Sequence, residues 1–168
     1  MPNQKIKLRL GRIGDARKNF EIRYRAIQEI AFCDYPENIL NSWGRSHSEE
    51  ELAKREQIFN LRIEQRENVI VVAEVEKQIA GFGEISLSQS ELTALYVNPD
   101  FKRQGIGTAI IQDLESRAKE QGIKALTLHS SLTAVPFYEK NGFRAVKQST
   151  HRLATGEDMA CVIMKKIM

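Results

Sequence analysis

At 168 residues the chain is the size of one domain, and residues 1–168 are read as a single unit around one core. Its 25 basic residues against 22 acidic ones leave a net charge of +3, with no run of like charge to mark a nucleic-acid or membrane-surface partner. No apolar stretch approaches the ~18 residues of a membrane span. "MPNQKIKLRLGRIG" has no apolar segment leading to a cleavage site, so a cytoplasmic location is expected.

Cys33 and Cys161 lie far apart without a C-x-x-C spacing and read as reduced, buried thiols. His47, His129 and His151 show no metal-ligand spacing, so no metal is expected.

In chain order, "KIKLRLGRI" alternates with period two and predicts a strand whose apolar face carries Ile6, Leu8 and Leu10. Asp15 offers a cap for a helix over "ARKNFEIRYRAIQEIAF", with Phe20, Ile27 and Ile30 on one face. "CDYPENILNSW" reads as turn-rich. Ser48 and Glu51 have the spacing of a capping box and open a second helix. Three closely spaced strands follow at Val69–Val75, Gln78–Leu87 and Glu91–Val97, an antiparallel meander.

After Val97 comes "NPDFKRQGIGTAIIQDL", a turn that opens a helix running to about Gln121, with Gly122 as its stop. "IKALTLHS" is a strand and "TAVPFYEKNGF" a short helix ended by Gly142. Pro136 lacks an N–H and fits only the first helical turn, which selects Thr133 as the N-cap. "RAVKQSTHRL" and "EDMACVIMKKI" are two final strands joined at Thr155-Gly156.

A glycine-rich strand–turn–helix junction gathers backbone N–H groups at the positive end of a helix dipole, which suits phosphate or pyrophosphate. G-x-x-x-x-G-K-[ST] does not occur in the chain, and G-x-G-x-x-G fails because position 110 is isoleucine. The stretch "LYVNPDFKRQGIGTAII" resembles motif A of the GNAT superfamily, the N-acetyltransferases that use acetyl-CoA. "LTLHSSLTAVPFYEKNGFRAV" is similar to that superfamily's motif B, and the order of elements agrees along nearly the whole chain. Two positions depart from the pattern. Lys102 stands where arginine or glutamine is usual, and the loop before the short helix has Ser130 and Ser131 in place of a frequent asparagine.

The resemblance implies an α/β (α+β) fold: a single mixed, mostly antiparallel sheet of about six to seven strands flanked by about four helices. It implies acetyl-CoA as cosubstrate, bound by the backbone of Leu95, Tyr96 and Val97 and by a pyrophosphate cradle over Lys102, Arg103, Gln104, Gly105, Ile106, Gly107 and Thr108, with Ser131 adding a contact. Tyr138 is the expected hydrogen-bond or proton donor to the departing sulfur. The general base is open among Glu91, Glu84 and His129, with Glu91 first; strand alternation puts it on one face with Thr93, Leu95 and Val97.

The expected activity is direct acetyl transfer to a primary amine in a ternary complex. A non-catalytic acyl-CoA-binding module of the same fold is the alternative. The acceptor is not legible: polyamine, amino acid, antibiotic and protein N-terminus all fit. Tyr24, Tyr35 and Trp43 are candidate pocket aromatics. Glu49, Glu50 and Glu51 suit a helix N-terminus, or attract a cationic amine. A homodimer stays open on family resemblance alone.

Overall fold

The computed structural model describes residues 5–168. In chain order it places β1 (Lys7–Leu10), α1 (Ala16–Ile30), α2 (Glu37–Trp43), α3 (Glu49–Gln65), β2 (Asn68–Val75), β3 (Gln78–Ser86), β4 (Glu91–Val97), α4 (Ile106–Glu120), β5 (Ala125–Ser131), α5 (Val135–Lys140), β6 (Arg144–Arg152) and β7 (Asp158–Ile167). The strands form one seven-stranded sheet in the order β1-β2-β3-β4-β5-β7-β6. The β4–β5 pair is parallel and every other pair is antiparallel. The α/β class, the mixed sheet and its antiparallel bias are as the sequence predicts.

One face of the sheet carries α4. Its Ile106, Ile110, Ile111, Leu114 and Ala118 recur at helical spacing, are buried, and meet Val71, Ala73, Val75, Leu126 and Leu128. Fully burying each such isoleucine or leucine is worth about 1.5–3 kcal/mol. The helix sits close because β3 has Gly83 beneath it, where a Cβ would stand 2.7 Å from Leu114 Cδ1. The opposite face is covered by α1 and α3, where Ile22 packs on Val72 and Phe82, and Ala16 packs with Phe59 on Ile70.

Local details depart from the sequence reading. Helix α2 lies inside the stretch expected to be turns. Pro36 is its N-cap, Glu37 is in its first turn, and Ile39 and Leu40 are buried against Tyr35, Leu153 and Met159. On α1 the buried face is Ala16, Asn19, Ile22, Ala26 and Ile27, whereas Phe20 is half-buried and Ile30 exposed. Asp15 occupies the N-cap position but makes no capping bond, because its carboxylate accepts from Arg9 and from Arg12 N–H. Leu10 is exposed at the end of β1, while Ile6 and Leu8 pack on the core. Cys161 is buried as expected, but Cys33 is exposed. The capping box at Ser48 and Glu51 is present in full.

Candidate active site

The turn between β4 and α4 is held from three directions. Asn98 is buried; its N–H donates to Ala80 O at 2.8 Å, and its side-chain oxygen accepts from Asp100 N–H at 3.1 Å. Arg25 of α1 reaches across to grip Asp100 with two nitrogens, at 2.9 and 3.0 Å. Beyond this anchor Lys102, Arg103, Gln104 and Gly105 are exposed, and Gly105 is the N-cap of α4 with φ +79. That left-handed conformation is where glycine has no steric penalty.

Among the described α-helices, α3 is the one whose start is closed by a side-chain cap, and α4 shares an open start with α1, α2 and α5. Ser48 and Glu51 close the start of α3 on itself, whereas α4 has no side-chain cap. The first bond back along α4 is Ala109 N–H to Gly105 O, so the N–H groups of Ile106, Gly107 and Thr108 have no intrahelical acceptor. These three amides and the helix dipole face the basic loop, an arrangement suited to an anion. Gly107 has a second, steric role. A Cβ there would lie 3.1 Å from the ring of Phe137, so the missing side chain lets α4 and α5 approach.

Next to this turn the sheet opens. β4 and β5 pair at one position, Glu91 opposite Thr127, and among the described residues no further pair joins them. On its other side β4 stays paired with β3 as far as Val97. The β5-facing edge of Leu95, Tyr96 and Val97 therefore borders a cavity of ≈ 320 Å³, lined also by Gly107, Ser131, Phe137 and Tyr138. A larger cavity of ≈ 830 Å³ lies between the sheet and the α1–α3 layer. Both are lined by the β4 residues Leu92, Thr93, Ala94 and Tyr96, with Trp43, His129 and Ser131, so they meet at the splayed strands.

The candidate bases all border the larger cavity, in different states. Glu84 is buried, with its carboxylate accepting from Asn68 and paired with Arg62 at 3.4 Å. His129 is exposed where the cavities meet, its ring 6.5 Å from that of His151. Glu91 is half-buried and, among the described residues, has no hydrogen-bond or ion-pair partner. Its face differs from the sequence reading. The β3–β4 register slips between Glu84 and Ile85, so that Ile85 pairs with Leu92 while Glu84 pairs with Ala94. Thr93 is the extra residue, and the alternation reverses across it. Leu92 packs with Leu95 and Val97 against the α4 side, while Ala94 and Tyr96 face α1. Glu91 thus shares a side with Ala94 and Tyr96 rather than with Leu95 and Val97.

Tyr138 is buried among Phe137 and Phe143, with ring centroids at 5.2 and 5.7 Å, and borders the smaller cavity. Burial and, second, the neighbouring Tyr96 raise its phenol well above the ordinary value. It is therefore a proton-bearing donor at neutral pH, with no hydrogen-bond partner among the described residues. Thr133 does not cap α5: Ala134 is the N-cap, and its N–H donates to Ser131 Oγ at 3.2 Å. Pro136 stays within the first turn, where a missing donor costs nothing.

Of the aromatics, Trp43 borders both cavities, Tyr24 is exposed, and Tyr35 is a structural tie that donates to Ala160 O and accepts from Leu132 N–H, both at 2.7 Å. Glu49, Glu50 and Glu51 are engaged by Arg17, Lys54 and Arg45. Arg23, Arg45, Arg55 and Arg62, which no sequence motif marks, also line the larger cavity. Among the described residues no three His, Cys, Asp or Glu side chains are grouped to hold a metal, and no helix is long and apolar enough to cross a membrane.

Comparison with known proteins gives the family and the fold. Residues 34–158 match the acetyltransferase (GNAT) domain family. An uncharacterized N-acetyltransferase of Escherichia coli (strain K12), YafP, is 30% identical over 146 residues, spanning 85% of this chain and 84% of its own length. The crystal structure of a GCN5-related N-acetyltransferase from Rhodopseudomonas palustris is similar along 100% of this chain and 99% of its own, with a TM-score of 0.85 at 26% identity. The paia N-acetyltransferase from Thermoplasma acidophilum, solved in complex with coenzyme A, has the same fold, with a TM-score of 0.76 at 23% identity over 98% of this chain and 99% of its own. The chain belongs to the GNAT family of acetyltransferases.

Proposed function

We propose that the chain transfers the acetyl group of acetyl-CoA to a primary amine by direct attack within a ternary complex. The observation that carries the reading is the meeting of the two cavities at the splayed β4 and β5, with the uncapped start of α4 at one end. The residues present fit acetyl-CoA: the free amides of Ile106, Gly107 and Thr108, with Lys102, Arg103, Gln104 and Gly105, suit its pyrophosphate. The open edge of Leu95, Tyr96 and Val97 suits the amides of its pantetheine arm, and Ser131, which borders both cavities, suits a further contact. Acetyl-CoA supplies an activated thioester.

The chain's own groups then have three tasks. An alkylamine with a pKa of ~10.4 costs about 4–5 kcal/mol to deprotonate at pH 7. Glu91, whose carboxylate is uncommitted, accepts that proton directly or through water; Glu84 is already tied to Asn68 and Arg62. A backbone N–H of β4 polarises the thioester carbonyl. Tyr138 donates its hydrogen bond to the sulfur as the C–S bond breaks and the N–C bond forms. Because its phenol is raised by burial, it stabilises the thiolate as a donor, and the proton lost by the amine ends on the thiol.

Direct attack is favoured over a covalent acetyl-enzyme. Cys161, the cysteine that borders the larger cavity, is buried and its thiol is pushed up by that burial, which suppresses the thiolate. Initial-velocity kinetics with both substrates varied test this. Intersecting double-reciprocal lines are expected; parallel lines, or an acetylated protein recovered without amine, would exclude a ternary complex.

A further inference from the structure

The wall of the larger cavity facing the sheet is cationic. Arg23 projects from α1, Arg55 and Arg62 lie two turns apart on α3, and Arg45 belongs to the α2–α3 link. Against these four arginines the cavity lining offers two carboxylates, Glu84 and Glu91. Arg45 pairs with Glu51 at 2.8 Å, and Arg62 pairs with Glu84 at 3.4 Å.

Arg23 and Arg55 are different. Arg55 lies over the ring of Phe20 at 5.2 Å, and its Nε is buried without a hydrogen-bond partner. Arg23 lies 5.8 Å from the Tyr96 ring centre and donates to Trp43 O at 3.0 Å. Among the described residues no carboxylate comes within ion-pair distance of either.

A second observation points the same way. Asn19, also on the cavity wall, is 1% exposed, yet neither its amide nitrogen nor its oxygen has a partner. Buried polar groups in folded proteins are nearly always satisfied, so the Asn19 amide adds a second unsatisfied polar group beside the unpaired arginines of this wall. Burial, together with Arg23, Arg45 and Arg62, pushes the Arg55 guanidinium below its ordinary value. An anion would relieve that crowding and a further cation would worsen it.

Resting on the acetyl-transfer reading, we propose that the acceptor amine also carries an anionic group, a carboxylate or a phosphate, which seats against Arg23, Arg55 and Asn19 while the amine faces β4. A guanidinium presents a planar fork that matches either group. Polyamines are disfavoured by charge, and amines without an anion leave the wall unsatisfied.

The test compares matched acceptors by thiol release from acetyl-CoA: glucosamine 6-phosphate against glucosamine, alanine against alaninamide, and spermidine. One anionic amine should exceed its uncharged partner in kcat/KM by at least about tenfold, with spermidine below both, and the arm that wins identifies the anion. Arg55→Gln and Arg23→Gln should each remove the preference by raising KM, while the calorimetric Kd for CoA stays the same and reports an intact fold. Equal use of neutral amines or spermidine, or a preference that survives both substitutions, overturns the proposal. A protein that binds CoA but favours neither anionic amine overturns the anion site alone. One that is folded but does not bind CoA overturns the acetyl-transfer reading and this proposal together.

Discussion

Arg25 of α1 holds Asp100, in the turn after β4, through two nitrogens at 2.9 and 3.0 Å. The same guanidinium donates to Glu29 on its own helix and to the side chain of Asn98, so one residue joins the α1 layer to the loop that opens α4. Asp100 is held below its ordinary value by that contact. Arg25→Ala should leave the fold in place and loosen the turn, weakening CoA binding roughly fivefold through positioning alone. Calorimetry on the variant, with Arg25→Lys as a partial rescue, checks this.

Tyr138→Phe separates chemistry from packing. The hydroxyl has no partner among the described residues, so its loss should leave the melting temperature unchanged or slightly raised. If the phenol serves the departing sulfur, kcat should fall by about a hundredfold with the Kd for CoA unaltered. A variant that keeps full kcat would assign Tyr138 to the core alone.

Gly107 and Phe137 form a testable steric pair. With a Cβ placed 3.1 Å from the ring, Gly107→Ala forces the ring to move. A loss of stability in urea unfolding is expected, its size set by how far the Phe137 ring gives the few tenths of an ångström required. Phe137→Leu in the same chain should recover part of it, giving a non-zero coupling in a double-mutant cycle. Gly105→Ala has no such partner, since nothing lies within 4 Å of its Cβ, and its penalty is the backbone strain of φ +79.

The start of α3 should fray in acid. Arg45 at 2.8 Å, then the N–H of Ser48 at 2.9 Å, hold the Glu51 carboxyl down at about 2 from an ordinary 4.5. Because the folded-state value is the lower one, the stabilisation is complete above pH 4.5 and is lost as pH falls towards 2. The protection of the first-turn amides of α3, measured as exchange relative to the intrinsic rate at each pH, should fall across that window. In Glu51→Gln the protection should be lower than in wild type above pH 4.5, approach the wild-type value near pH 2, and lose that dependence.

Much of the fold was legible because local signals and tertiary structure agree. The capping box, the three-strand meander, the Gly105 turn and the Gly122 stop are all written in short-range chemistry. Helix α2 was not, because its seven residues are too few to be stable alone and depend on burying Ile39 and Leu40 against distant Leu153 and Met159. The face of Glu91 was misread because a bulge at Thr93 has no sequence mark, and one inserted residue reverses the alternation. The arginine wall was invisible for another reason. Arg55, Phe59 and Arg62 share a helical face that the periodicity shows, but only the packing of α1 beside α3 brings Arg23 and Asn19 to the same cavity.

Calorimetric titration reads whether the uncapped start of α4 and the open edge of β4 bind CoA. Wild type should bind CoA and acetyl-CoA stoichiometrically. The exposed double variant Lys102→Glu/Arg103→Glu should bind at least about tenfold more weakly, by setting two carboxylates against the pyrophosphate. A folded wild type that releases no heat with either ligand, or a double variant that binds them equally well, would rule out this turn as the pyrophosphate site.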